Sequence, residues 1–243
     1  MKIILQKKYG ACINSTLIFI VLFLIQTTAL LANDKIIHAI DFTGQQNGSA
    51  ISWLEENGFE FELDATELNP RFENDALVIS TKDKLAGLIG FKFEQQNFIH
   101  NVKSVKIVWG VNRYPEGADW ENGNNRVPIA VMLSFGTKTL SSGLPFGIKA
   151  APYFLSPFIG KKEALDKMYV GKLWREGGRY ICVVSGDQSG KTITTEFEID
   201  ERFKRTFAQT TTPPITAFAL QKNTNNTRGG SEAFIKKIKF LSE

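Results

Sequence analysis

The chain has 243 residues, 43% hydrophobic and 22% charged, with 29 Lys plus Arg against 25 Asp plus Glu for a formal charge of +4. That balance excludes the dense basic surface of a nucleic-acid binder and the polar composition of a disordered chain. Two cysteines in such a length exclude a disulfide-stapled scaffold, so the fold must rest on an apolar core.

Lys2, Lys7 and Lys8 precede an apolar run from Leu17 to Ile25, and the small residues Thr27 and Ala29 follow. This is the layout of a secretory signal peptide. A membrane span would need roughly 17 to 25 apolar residues, and Gln26, Thr27 and Thr28 interrupt the run too early. Residues 1–32 are therefore expected to be a signal cleaved near Ala29 or Ala32. They would leave a periplasmic or secreted domain of residues 33–243 with no membrane span. Cleavage takes three lysines and no acids, so Lys plus Arg falls from 29 to 26 against an unchanged 25, a net +1. Cys12 leaves with the signal. Cys182 then has no partner, and its period-two placement between Tyr180 and Val184 is that of a buried structural thiol. Folding is expected to need neither disulfide nor metal.

Period-two patterning dominates the rest. Strands are predicted at Ile36–Phe42, Phe59–Leu63, Ala76–Ser80 and Leu88–Glu94. Val105, Ile107, Trp109 and Val111 share one face, as do Val127, Ile129, Val131, Leu133 and Phe135. Pro152–Phe158 is aromatic and reads as cover for a sheet edge or the end of the core. A helix is predicted over Lys161–Met168. Tyr180–Val184 is the next strand, followed by Ile193, Thr195, Phe197 and Ile199 inward with Thr194, Glu196 and Glu198 outward. A short helix at Asp200–Phe207 would be capped by Asp200 and bury Phe203 and Phe207. Ile215–Leu220 and a last strand with Phe234, Ile238 and Phe240 inward close the chain, Lys236 and Lys237 lying toward solvent. Turn signals such as Asn57-Gly58, Asn122-Gly123 and Gly186-Asp187 separate these runs. The expected fold is all-β: one antiparallel jelly-roll sandwich, galactose-binding-like, with one or two short helices.

No cofactor motif is complete. Ser185 to Thr192 imitates a phosphate-binding loop, but Ser185 stands where the first Gly is required and Thr192–Ile199 alternates as a strand rather than a helix. A hairpin turn is expected there, with no nucleotide. His38 and His100 have no partner at metal-ligand spacing, and no serine-hydrolase elbow is present. Asn47-Gly48-Ser49 and Asn225-Asn226-Thr227 match glycosylation sequons and read as turns.

The loop Arg113–Arg126, R-Y-P-E-G-A-D-W-E-N-G-N-N-R, concentrates the polar chemistry. Tyr114 or Trp120 can stack on a pyranose while Asp119, Asn125 and Arg126 supply planar hydrogen-bonding groups. These five are the candidate ligand-binding residues for a glycan or another envelope component. The competing reading folds Trp120 back onto the sandwich. A carbohydrate-active enzyme is the alternative function, drawing on Glu116, Asp119 and Glu121, and would need two carboxylates about 5 to 9.5 Å apart, one with a raised pKa. A structural envelope protein without a small ligand is the third.

The run V-K-I-V-W-G-V-N-R-Y-P-E-G-A-D from Val105, followed by N-N-R-V-P-I-A-V-M-L-S-F-G from Asn124, resembles a bacterial exported family known as domain of unknown function 3047. Val183-Val184-Ser185-Gly186, the Asp200–Phe207 turn, A-F-A-L-Q-K-N-T-N-N-T from Ala217 and A-F-I-K-K-I-K-F from Ala233 continue the succession, so the resemblance spans roughly residues 105–241. It implies an exported β-sandwich and assigns no catalytic residue. It further implies that relatives carry acids where this chain has Asn124-Asn125, within Asn223–Thr227, and at Lys236 or Lys237. Any calcium held by those acids would lack its ligands here.

Overall fold

In this computed structural model residues 35–143 and 150–242 are described, and the expected signal, residues 1–32, lies outside them. The strands in chain order are β1 (Lys35–Asp41), β2 (Gly48–Ser49), β3 (Phe59–Leu63), β4 (Arg71–Phe72), β5 (Leu77–Thr81), β6 (Ala86–Lys92) and β7 (Ser104–Arg113). There follow β8 (Val127–Leu140), β9 (Ala151–Ile159), β10 (Met168–Tyr169), β11 (Gly178–Val184), β12 (Ile193–Glu198), β13 (Ile215–Asn223) and β14 (Ser231–Ser242). Among the described residues two α-helices interrupt them, α1 (Ile51–Glu56) and α2 (Asp200–Phe207), with 3-10 turns at Thr66–Leu68 and Gln95–Asn97.

The strands form two seven-stranded sheets. One runs β12-β7-β14-β5-β4-β2, with β1 also paired to β14; the other runs β10-β11-β9-β8-β13-β6-β3. The protein is a β-sandwich of jelly-roll type. Alternation places Val105, Ile107 and Trp109 of β7 and Ile129, Val131 and Leu133 of β8 in one buried cluster between the sheets. The intervening Ala130 and Met132 fall in a second cluster on the opposite face of the β8 sheet, with Phe154, Phe158, Tyr180, Cys182 and Trp120. One sheet is therefore apolar on both faces over part of its area.

That two-sided burial explains a missed strand. Pro152–Phe158, expected as a cover, belongs to β9, an interior strand of its sheet, antiparallel to β8 and parallel to β11. Apolar residues on both faces erase the alternation by which a half-buried strand is recognised. The parallel β9–β11 pair also makes this sheet mixed rather than purely antiparallel.

Four further expectations are corrected. Lys161–Met168 is not helical; bends and turns with Asp166 at φ +64° lead to Met168, the first residue of β10, and Asp166 N–H donates to the Cys182 carbonyl. The turn at Gly186–Lys191 is not a hairpin, because β11 and β12 lie in different sheets. Asp200 is the first residue of α2 rather than its cap. The orphan N–H groups of Glu201 and Arg202 are taken by the Glu198 carboxylate at 2.9 and 3.1 Å. Finally, β14 carries a register shift between Ile235 and Lys237. Ala233 and Ile235 point inward before it, and Ile238 and Phe240 after it, while Phe234 packs outside with Ala76 and Val78. One extra residue exchanges the faces of a strand.

Among the described residues no helix is long and apolar enough to cross a membrane.

Candidate functional site

β7 and β8 are joined by the loop 114–126, which is held by two neighbouring loops. Toward the β13–β14 connection, Glu116 and Arg228 exchange two backbone hydrogen bonds, each 3.0 Å. Asn124 Nδ2 donates to the carbonyls of Gly117 and Asn226 at 2.6 and 3.1 Å, and Arg126 Nε donates to the Asn225 carbonyl. The stretches Asn124–Asn125 and Asn223–Thr227 thus meet, although they lie some hundred residues apart. Among the described residues no group of three or more His, Cys, Asp or Glu is placed to hold a metal ion.

Toward the β9–β10 connection the fastening is a carboxylate that sequence reading missed. Glu163 is 3% exposed. Its Oε1 accepts the Trp120 N–H at 3.1 Å, and Oε2 accepts the Lys161 and Lys162 N–H groups at 3.0 and 3.1 Å. A buried carboxylate is tolerated when charge-assisted hydrogen bonds replace its water. Gly160 is required for this approach, since a Cβ there would stand 2.6 Å from Glu163 Oε2 and 3.0 Å from Cys182 Sγ. No local pattern marks Glu163, because its donors arrive through long-range folding.

Trp120 is buried at 6% exposure. Its ring stacks on Phe158 with centroids 5.4 Å apart, lies 4.8 Å from Tyr180, and donates from Nε1 to the Arg126 carbonyl at 3.0 Å. The stacking platform for a sugar is thereby corrected: Trp120 folds back onto the sheet. Tyr114 is likewise buried, its hydroxyl reaches the Gly186 carbonyl at 3.4 Å, and burial pushes its pKa up to about 12. Tyr114 lines the loop cleft, and Lys161 Nζ lies over its ring, 5.5 Å from the centroid.

Asp119 and Asn125 serve the loop itself. The Asp119 carboxylate accepts from the Asn122 side chain at 2.9 Å and its backbone at 3.1 Å, with Lys162 Nζ at 3.6 Å. These contacts, the Asn122 amide foremost, lower its pKa. The Asn125 carbonyl accepts Arg126 Nη1 at 2.8 Å. Glu121 is engaged by Lys167 and by the Tyr169 hydroxyl, which lower its pKa. Neither acid has the raised pKa that a glycosidase proton donor needs.

Between these fastenings lies a cleft of about 220 Å³, lined by Tyr114, Pro115, Glu116, Arg126, Pro128 and Lys161 among others. Of the five candidate residues, the structure brings Tyr114 and Arg126 into it. Behind Pro128 sits Lys222, 1% exposed, donating to the Pro128 carbonyl at 2.8 Å and to Ser231 Oγ at 2.9 Å. Desolvation lowers its pKa to about 7. Its sequence signal was present: Phe218, Leu220 and Lys222 share one parity, so extending the predicted strand by two residues turns the lysine inward.

Cys182 is the buried structural thiol expected, fully enclosed, donating to the Val184 carbonyl at 3.1 Å, with burial raising its pKa to about 12. The phosphate-loop imitation leads into strand β12, and Lys191 Nζ is spent on the Gln188 side chain at 3.1 Å.

The fold and this cleft define a β-sandwich with a small recess at one end, lined by both apolar and charged residues. No family model matches the chain, and no curated protein matches it. Among solved structures it is similar to a family 29 carbohydrate-binding module from Piromyces equi, at 10% identity and a TM-score of 0.36, covering 85% of this chain and 91% of that one. It is also similar to the K2 cleaved adhesin domain of Lys-gingipain, at 11% identity and a TM-score of 0.30, covering 85% and 88%. Likeness at this level assigns no ligand.

Proposed function

We propose that the protein is an exported, non-catalytic glycan-binding module of the domain of unknown function 3047 family, and that the loop-end cleft is its binding site. The observation that carries this reading is the cleft itself, about 220 Å³, walled by the Tyr114 ring and two prolines and furnished with the polar ends of Arg126, Glu116 and Lys161. It is smaller than the roughly 300 to 1,000 Å³ typical of drug-sized ligands, and a mixed ring-and-polar lining suits one sugar unit at the end of a chain. The export part rests on the N-terminal signal pattern.

A glycan array probed with the purified protein and with Ala118→Arg tests the site. Ala118 lines the cleft without being buried, so the longer side chain fills the recess while the core is untouched. Array binding by the wild type, lost in Ala118→Arg at unchanged stability, is expected. Binding undiminished by the substitution, or none at all, would overturn the reading.

A further inference from the structure

We infer that the loop-end cleft takes the carboxylate of an acidic sugar, a uronate, with Arg126 as its clamp. The inference rests on the glycan reading and adds to it the charge class of the ligand.

A guanidinium offers five N–H groups. In Arg126, Nε donates to the Asn225 carbonyl and Nη1 to the Asn125 carbonyl, leaving three N–H groups, both on Nη2 among them, without an acceptor among the described residues. Both partners are neutral carbonyls. The other cations of the cleft are neutralised: Lys161 Nζ lies 2.8 Å from Asp187, and Lys162 Nζ lies 3.6 Å from Asp119. Of its carboxylates, Glu163 is committed to three backbone N–H groups, and Glu116 is an exposed side chain 3.9 Å from Arg228 Nε. Among the described residues Arg126 is the one cation lining the cleft that has no ion pair, and it is only partly exposed.

A half-buried cation without a counter-ion pays in lost hydration what an anion would restore, and burial accordingly lowers the pKa of Arg126. The two carbonyls pin the guanidinium plane in place. Its remaining donors are coplanar, a match to the two oxygens of a carboxylate in a parallel pair. A neutral sugar would leave this edge unsatisfied. A sulfated sugar would supply the charge without the planar fit.

The test titrates the purified protein with an oligogalacturonate, its carboxyl-reduced neutral counterpart and a sulfated neutral oligosaccharide of equal length. The wild type should bind the uronate at least tenfold more tightly than the reduced form at low salt. That preference should vanish at a pH that protonates the sugar carboxylate. Arg126→Gln should bring the ratio near one, and Arg126→Lys should retain part of it, since lysine keeps charge but not the fork. Because Arg126 also fastens two loops, the pH dependence of the wild-type preference supplies the reading that does not depend on a variant folding. Equal binding of acidic and reduced forms, abolished by Ala118→Arg, would overturn the uronate assignment and leave the glycan site standing. Tighter binding of the sulfated form would overturn it too. Binding of none of the three would defeat both.

Discussion

The two ends of the sandwich solve the same problem with different materials. At the end that carries α2, aromatic side chains close the core: Phe203 lies 4.7 Å from Phe135 and Phe207 lies 4.6 Å from Tyr153. At the loop end a buried carboxylate, a half-buried guanidinium and a buried amine do the closing. Both ends also use one glutamate to collect backbone N–H groups, Glu198 at the helix start and Glu163 between loops. The helix end holds a larger cleft, about 450 Å³, lined by Ile99, Val102 and Phe135 together with Asn101, Thr212 and Asp200, the last tied to Lys204 at 2.7 Å. The two ends therefore differ in how the core is closed, aromatic rings at one and buried polar groups at the other.

The sharpest way to break this contrast is Trp120→Ala. If Trp120 is a core residue of the loop end, its removal should cost about 3 to 5 kcal/mol in chemical denaturation, as much as Phe203→Ala at the helix end. A loss under about 0.5 kcal/mol, the range of surface changes, would return Trp120 to the surface and dissolve the picture of a loop packed on the sheet.

Lys222 gives the next effect, through pH. Its folded pKa, about 7, is lowered from 10.5 by burial, so between those values the unfolded chain binds the extra proton and stability rises with pH. The slope can reach roughly 1 kcal/mol per pH unit. The charged groups acting on it are Glu232, which favours the ammonium, and Arg113, which opposes it. Cys182 opposes the trend: its thiol pKa is raised from 9.0, so its contribution is present at lower pH and lost as pH climbs past 9. Stability should therefore rise from pH 7 to about 8.5 in the wild type and be flat over that interval in Lys222→Met. Parallel profiles would show that the amine is not the source.

Glu163→Gln should cost about 1 to 3 kcal/mol, because an amide presents N–H to at least one of the three N–H groups that the carboxylate satisfies. Glu198→Gln, at the partly exposed helix start, should cost less, since water can reach its donors. Equal losses would mean that the two glutamates are equivalent and that burial at the loop end adds nothing.

These residues also show what the sequence could carry. β7 and β12 were legible because one face of each is wet, so alternation reports the fold directly. α2 was legible from Phe203 and Phe207, four residues apart on one side. β9 was not, because sheet and loop cover both its faces. The polar loop 114–126 was recognisable as the place where hydrogen-bonding groups gather, and Arg126 does reach the cleft. Which of its aromatics would be buried depended on Phe158 and Tyr180 and on the Glu163 carboxylate, all supplied from distant segments. Patterns of two and four residues do not reach that far.

The smallest effect separates backbone from side chain in the same loop. Glu116 and Arg228 face each other at 3.9 Å with side chains 69% and 86% exposed, while their backbones exchange two hydrogen bonds of 3.0 Å. An exposed pair at that distance is screened and held against side-chain entropy, so a double-mutant cycle of Glu116→Ala and Arg228→Ala should give a coupling below about 0.5 kcal/mol. The backbone pair should matter more. Arg228→Pro removes the N–H that donates to Glu116, and should destabilise by roughly 1 kcal/mol or more through the lost donor and the altered turn. A coupling above 1 kcal/mol between the side chains, with Arg228→Pro tolerated, would reverse the assignment. The loop end would then be held by surface charge, and raising the salt concentration should loosen it as it would not loosen the aromatic end.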